Sequence, residues 1–294
     1  MLVGAIDIGG TRTKLGLVSD DGRVVEREAV STPKDGDPQA LVQAVTTKLV
    51  PMLAKTVKAA VGVSVAGFLD RERATMFGNA NLPALCGFPL RHELGKALQR
   101  ECVLEVDSNA AVLAEHRYGT VPESRRLLGV TVGTGLGGGV IIDGALLRYT
   151  GECAGDVGHI IIADGGRRCT CGSRGCFEAM VCSAALSERA GGRTVRDIAR
   201  AAAGGERHAL NAIKETARWL GIGLASLAPL FSPDTIVVGG GVAAAGDLLL
   251  DPVRESFRSH AAHDARVRVR IVGSTFDGWS GVVGAACAVF DGNL

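Results

Sequence analysis

The chain has 294 residues, 47% hydrophobic and 21% charged, a composition that fits a folded globular protein of about two domains. Its net charge of +1 offers no electrostatic basis for binding nucleic acid or an acidic membrane surface. There is no 18-residue apolar run and no basic leader with a cleavage site, and three of the eight cysteines have metal-type spacing, so a soluble cytoplasmic protein is expected.

In chain order, the apolar start Leu2-Val3-Gly4-Ala5 predicts a strand running into Ile6-Asp7-Ile8-Gly9-Gly10-Thr11. Leu15 to Val18 predicts a second strand, and the Asp21-Gly22 pair a hairpin to a third that ends near Thr32. A helix is expected from Pro38 to about Val57, with Leu41, Val45, Leu49 and Leu53 spaced by four and Pro51 kinking it. Ala59 to Val65 reads as a buried strand ending at Ala66-Gly67, and Asn79 to Pro83 as a polar loop. Leu90 to Arg100 reads as a helix and Cys102 to Val106 as a strand. Asp107-Ser108-Asn109 interrupts before a strong helix former at Ala110 to Glu115. Leu127 to Val132 and Val140 to Ile142 are strands on either side of Gly133-Thr134-Gly135-Leu136-Gly137-Gly138-Gly139, and Asp143-Gly144 follows as a second hairpin turn. Helices are then expected at about Val195 to Ala203, Glu206 to Leu230, from Asp247, and from Ser280 to Phe290. A strand from Asp234 to Val238 meets Gly239-Gly240-Gly241. Strand, glycine turn, strand and Asp-Gly turn thus occur twice, which predicts an internal duplication.

Gly133, Gly135 and Gly138 match a GxGxxG spacing, but that dinucleotide fingerprint needs a helix directly after the glycines, and here a strand follows. Neither glycine turn fits the Walker A spacing. A glycine turn between strands still exposes successive backbone N–H groups that cradle phosphate. Two such turns, the first opening on Asp7, point to a nucleotide; the plain alternative is a pair of tight hairpins.

Cys169, Cys171 and Cys176 form a C-x-C-x4-C cluster ten residues after His159. Three thiolates and an imidazole close a tetrahedral zinc site with no open position, so the metal is expected to fold a loop and not to do chemistry. Three unrelated buried thiols are the alternative, but they explain neither the CxC pair nor the Gly172 and Gly175 turns.

Six segments together make the chain resemble the ROK family of sugar kinases, within the actin/hexokinase-like ATPases. They are Asp7-Ile-Gly-Gly-Thr11, Asp107-Ser-Asn109-Ala-Ala, Gly133 to Gly139, Asp156-Val-Gly-His159, Cys169 to Glu178, and Val238 to Gly241. The resemblance implies two actin-like (ribonuclease H-like) α/β domains with a cleft for sugar and ATP and a zinc-stabilised loop. The domains expected are residues 1–106 with the closing helix at about 281–294, and residues 107–280 with the zinc loop.

The same resemblance implies roles for individual residues. Asp107 matches the catalytic base that takes the proton of a sugar hydroxyl, and its plain alternative is a helix N-cap. Asp7 resembles the magnesium-side aspartate acting through water. Backbone N–H groups of Gly9, Gly10, Thr11, Thr134 and Gly135 would hold phosphates, and Gly240 and Gly241 the adenosine side. Gly67, Asn81, Asp107, Asn109, Asp156, His159 and Glu178 would line the sugar site, with His159 using one ring nitrogen for zinc and the other for sugar. Zinc removal is expected to weaken sugar binding more than ATP binding. ATP, Mg2+ and structural Zn2+ are the cofactors implied, and a homodimer the assembly.

The chain departs from the family pattern at Asp156 (usually Glu), at Leu85 and Cys86 (where Trp is common), at Ala66 (usually Pro) and at Arg12 (usually Lys). The first two lie on the sugar side, which points from glucose toward an amino-substituted glucose such as 3-amino-3-deoxyglucose or glucosamine, with an N-acetylhexosamine or a cyclitol next. Sugar-responsive repressors of the same family carry a helix-turn-helix ahead of the first glycine turn, and only six residues precede Asp7. A catalytically silent binding module is the remaining alternative, and the presence of Asp107 with the full zinc loop argues against it.

Overall fold

The computed structural model describes residues 1–33, 37–56, 59–78, 82–148, 156–276 and 278–291. The described residues fall into two compact units. The first runs over Met1–Pro122 and takes in Arg148 and the closing stretch from Phe276; the second comprises Glu123–Leu147 and the stretch that ends at Thr275.

In the first unit, β1 (Leu2–Ile8), β2 (Arg12–Ser19) and β3 (Val24–Ser31) form an antiparallel meander, and β4 (Val61–Val65) and β7 (Cys102–Val106) extend it in parallel. The sheet order is β3-β2-β1-β4-β7. A separate two-stranded hairpin, β5 (Phe68–Leu69) with β6 (Met76–Phe77), follows β4. One sheet face packs on α1 (Pro38–Leu53) and α2 (Leu90–Leu98) through Ile6, Ile8, Leu15, Leu41, Val45, Leu49 and Leu94. Asp37 caps α1 by accepting the Gln39 N–H at 2.9 Å, and Pro51 falls in its last turn. The other face packs on the closing helix α10 (Ser280–Phe290) through Val3, Ala5, Val18, Val282, Ala285 and Ala286.

In the second unit, β8 (Arg126–Val132), β9 (Leu136–Ile142) and β10 (Ala145–Leu146) form the antiparallel part, and β11 (Thr235–Gly239) and β12 (Arg270–Gly273) the parallel part. Asp143 and Gly144 both have positive φ (51° and 82°), the conformation of a type I′ hairpin turn. The sheet order is β10-β9-β8-β11-β12, the same topology as in the first unit. The duplication read from the glycine turns is therefore a duplication of sheet order and strand sense. Helices α4 (Phe177–Val181), α5 (Ser183–Arg189), α6 (Val195–Ala203), α7 (Arg207–Phe231), α8 (Asp247–His260) and α9 (His263–Arg268) complete the unit. The long α7 is central to this core, burying Ile213, Leu220, Leu224 and Leu227 among Phe177, Val253 and Phe257.

Two sequence expectations are corrected here. Asp107 does not precede a helix but opens one: α3 (Asp107–Tyr118) begins at it, and the extended Val106 (φ −66°, ψ 141°) is the residue at the cap position. The domain boundary also does not fall at residue 107, because α3 packs on α10. Gly284 of α10 sits so close to the backbone of Ala110 that any side chain there would collide with it. Backbone contact of that kind fixes α3 to the unit that contains β1.

Candidate active site

Within the first unit, Asp7 stands at the end of β1 and Gly9, Gly10 and Thr11 form the turn to β2, closed by the Gly9 N–H to the Arg12 carbonyl at 3.2 Å. The Asp7 carboxylate accepts a hydrogen bond from Ser64 Oγ at 3.1 Å and faces Lys14 Nζ at 3.9 Å. Lys14 also donates to the Gly278 carbonyl, and Gly281 lies where a Cβ would strike the Asp7 carboxylate, so the start of α10 closes over this aspartate. Burial raises the Asp7 carboxyl above the usual range, with Lys14 and Ser64 working against it.

Asp107 and Asn109 share the first turn of α3. Asp107 Oδ1 accepts the Ser108 N–H at 2.7 Å. Burial, with repulsion from Asp7 added to it, pushes the Asp107 carboxyl up to about 6. Two carboxylates that repel each other at the ends of neighbouring elements form a site that a divalent cation or a transferred proton relieves.

Asn109 donates from Nδ2 to Glu105 Oε1 at 3.0 Å. Glu105, in β7 and 2% exposed, also pairs with Arg73 (3.3 Å) and Arg148 (3.0 Å). Gly67 follows β4 with φ of +113°, a conformation that favours glycine. Asn81 lies outside the described residues.

Within the second unit, Gly133, Thr134 and Gly135 form the turn between β8 and β9, closed by the Gly133 N–H to the Gly135 carbonyl at 2.8 Å. Two further bonds brace it. The Ser183 N–H reaches the Gly133 carbonyl at 2.7 Å, and Glu178 Oε2 accepts the Leu136 N–H at 2.9 Å. A side chain at Gly135 would collide with that carboxylate. Gly240 (φ +88°) lies hard against the backbone of Val132, so it is glycine for reasons of close approach, whereas Gly241 faces open space.

His159, Cys169, Cys171 and Cys176 place their ligand atoms within 4.8 Å of one another. Cys169 Sγ lies 3.6 Å from His159 Nδ1, and Cys171 Sγ lies 3.6 Å from Cys176 Sγ. Ligand bonds of about 2.3 Å to sulfur and 2.0–2.1 Å to nitrogen give tetrahedral edges of roughly 3.5–3.8 Å, so the four residues fit zinc. The Ser173 backbone N–H draws the Cys171 thiol down to about 7, and burial pushes the Cys176 thiol up to about 12. A thiolate at Cys176 is therefore costly unless a cation sits beside it. Asp156 Oδ2 lies 3.6 Å from His159 Nε2, so the ring nitrogen expected to face sugar has a carboxylate beside it. A carboxylate on the outer nitrogen of a metal-facing histidine fixes its tautomer and ring orientation.

Reading the sequence missed Ser64, Lys14, Glu105, Arg73 and Arg148. Glu105 could have been found: a charged residue inside the apolar strand Cys102-Val-Leu-Glu-Val106 has to find partners. The partners themselves, 32 and 43 residues away, carry no local signal.

No helix among the described residues is long and apolar enough to cross a membrane. Comparison with known proteins agrees with the geometry. The family model described as "ROK family" matches residues 3–291. A glucokinase of Streptomyces coelicolor is 33% identical over 304 residues, covering 96% of this chain and 95% of the relative. An N-acetylmannosamine kinase of Escherichia coli is 33% identical over 248 residues, covering 82% of this chain and 83% of the relative. The crystal structure of a ROK family glucokinase from Streptomyces griseus with glucose and AMPPNP superposes with a TM-score of 0.88 at 33% identity, covering 99% of this chain and 100% of that one. A family match over nearly the whole chain, with relatives at this identity, assigns the protein to the ROK family.

Proposed function

We propose that this chain is an ATP-dependent hexose kinase that transfers the γ-phosphoryl group of ATP to the 6-hydroxyl of glucose or an amino-substituted glucose. The observation that carries the proposal is Asp107, a carboxyl raised to about 6 beside a second carboxylate, Asp7. Phosphoryl transfer asks for positioning and neutralisation of charge more than for covalent chemistry. Asp107 accepts the proton of the 6-hydroxyl as its oxygen attacks the γ-phosphorus. The bond to the β–γ bridging oxygen breaks, and ADP leaves with that electron pair. Asp7 would hold a water of the magnesium ion, which when bound neutralises the phosphate oxygens. The N–H groups of Gly9, Gly10, Thr11, Thr134 and Gly135 would hold phosphates, Gly240 and Gly241 the adenosine side, and Asn109, Gly67, Asn81, Asp156, His159 and Glu178 the sugar. The shared sheet order of the two units supports a duplicated actin-like ATPase fold, and a homodimer is the assembly we infer from the resemblance.

A coupled ADP-release assay over hexoses and amino sugars tests the activity; no ADP release with any sugar refutes it. A base is active only when deprotonated, so kcat/KM should be level above the Asp107 pKa and fall about tenfold per pH unit below it. The expected bend lies near pH 6. A profile that stays flat down to pH 5 would remove Asp107 from the role of base.

The substrate rests on Asp156. Aspartate is one methylene shorter than the family's usual glutamate, which withdraws the carboxylate by about 1.5 Å. The space gained and the charge retained suit an ammonium substituent, since charge-assisted hydrogen bonds are roughly twice as strong as neutral ones. We therefore expect 3-amino-3-deoxyglucose or glucosamine to be phosphorylated at least as efficiently as glucose, and Asp156→Glu to shift the ranking toward glucose. A wild type that prefers glucose to every amino sugar, with a ranking that Asp156→Glu leaves alone, would refute the substrate assignment and leave the kinase intact. An N-acetylhexosamine is the second substrate class, favoured by the N-acetylmannosamine kinase among the relatives, with a cyclitol after it.

A further inference from the structure

Glu105, two residues before Asp107, is bonded on both carboxylate oxygens and has no part in the transfer described above. Its two oxygens divide the work. Oε2 faces the guanidinium groups of Arg73 at 3.3 Å and Arg148 at 3.0 Å. Oε1 accepts the Val106 N–H and the Asn109 Nδ2–H, both at 3.0 Å. Arg73 is itself fixed to the Leu104 carbonyl through Nε at 2.9 Å. A carboxylate holding donors on both oxygens, buried to 2% exposure, cannot rotate without breaking several bonds at once.

The consequence falls on Asn109. An asparagine amide has a donor end and an acceptor end, and which one faces a given direction is set by its bonding partners. Paired with two guanidinium groups, the Glu105 carboxylate acts only as an acceptor, so the amide must turn its NH2 inward. Its Oδ1 end is left facing away from Glu105, on a residue that is only partly buried. We infer that Glu105 is a positioning residue that fixes the polarity of Asn109, so that Asn109 recognises the hexose by accepting a hydrogen bond from one of its hydroxyl groups. The inference rests on Asn109 touching the sugar and adds the direction of the bond. It makes Asn109 a filter for hydrogen-bond donors: a hydroxyl or an ammonium satisfies Oδ1, and a group that can only accept does not.

Deoxy- and deoxyfluoro-glucoses altered at C2, C3 and C4 separate these possibilities, because fluorine keeps an acceptor but cannot donate. In the wild type, at one of these positions the fluoro and the deoxy sugars should both lose kcat/KM by about 5- to 100-fold, the range for an unpaired buried acceptor. In Asn109→Ala the penalty at that position should shrink while KM for ATP holds. In Glu105→Gln the new amide can donate to Oδ1 and let Asn109 turn over, so the fluoro penalty should fall below the deoxy penalty. A purely structural role for Glu105 predicts a uniform loss over all sugars instead.

If the fluoro sugar works as well as glucose at the position that Asn109→Ala identifies, the polarity is the reverse of the one inferred. A Glu105→Gln variant with unchanged fluoro-to-deoxy ratios overturns the role of Glu105. If Asn109→Ala leaves every ratio unchanged, Asn109 does not touch the sugar and the underlying placement has failed, which is distinct from an error of direction. Should Glu105→Gln not fold, the wild-type and Asn109→Ala ratios decide the polarity without it.

Discussion

Asp107→Asn should fold, bind ATP and sugar, and turn over about 10²- to 10⁴-fold more slowly, the usual worth of a general base. The asparagine Oδ1 can accept the Ser108 N–H as Asp107 Oδ1 does at 2.7 Å, so the first turn of α3 has no reason to change. The same variant should be more stable than the wild type. The folded-state pKa of about 6 lies above the reference value of 3.8, so the folded protein holds this proton more tightly than the unfolded chain does. Stability from this group is therefore fully present below the unfolded pKa and is lost as pH rises through about 6. A shift of about two units corresponds to at most about 3 kcal/mol, and a neutral asparagine escapes that cost. Thermal melts at pH 7.5 should show Asp107→Asn above the wild type, and the gap should close toward pH 4. Near-normal turnover would remove Asp107 from catalysis. A variant that is slow and also markedly less stable would mark Asp107 as a structural residue of α3.

What could be seen in the sequence, and what could not, follows from the range of each interaction. The four clustered residues that could hold a metal lie between His159 and Cys176, so ligand chemistry and spacing announce them within one short segment. The glycine turns are equally local, and with their flanking strands they revealed the duplication that the two sheet orders share. The start of α3 was misplaced because Asp107-Ser108-Asn109 is rich in turn formers, whereas the extended Val106 takes the cap position. The domain boundary was misplaced with it, since nothing in the sequence of α3 says that Gly284, far along the chain, admits its backbone so closely. The hairpin β5–β6 has two residues per strand, too few for an alternation to register. Glu178 was singled out for the sugar, and its bond to the Leu136 N–H, which spans 42 residues, could not be foreseen.

That bond changes what removal of zinc, which we infer is held by His159, Cys169, Cys171 and Cys176, should do. The two ends of the stretch from His159 to Glu178 are anchored, since Phe177 is buried in the core around α7 and Ile160 and Ile162 pack against that core, whereas between them Cys169 and Cys176 are buried in a small separate cluster with Ala179. The backbone there is shaped by Gly172 and Gly175, both at positive φ, and by the Cys169 N–H to the Ser173 carbonyl at 2.8 Å. The segment that carries the thiols has little apolar packing beyond that cluster, and a tetrahedral zinc ion would tie it together. Purified protein should contain one zinc per chain, and Cys176→Ser or chelation should remove it and expose residues 164–176, between the anchored ends, to hydrogen exchange. Two losses follow. Sugar affinity should fall through His159, Asp156 and Glu178, by about tenfold or more given what outer partners of a metal site contribute. Nucleotide affinity should fall as well, by about fivefold, because Glu178 no longer holds the Leu136 N–H that braces the Gly133–Gly135 turn. On sequence alone the nucleotide side was expected to be the better preserved; the brace predicts that Glu178→Ala reproduces the nucleotide loss with zinc still bound. Titration of AMPPNP into the chelated protein and into Glu178→Ala measures this directly. Zinc-free protein with unaltered sugar affinity would refute the structural role of the metal, and zinc-free protein with weakened sugar but intact AMPPNP binding would refute the brace alone.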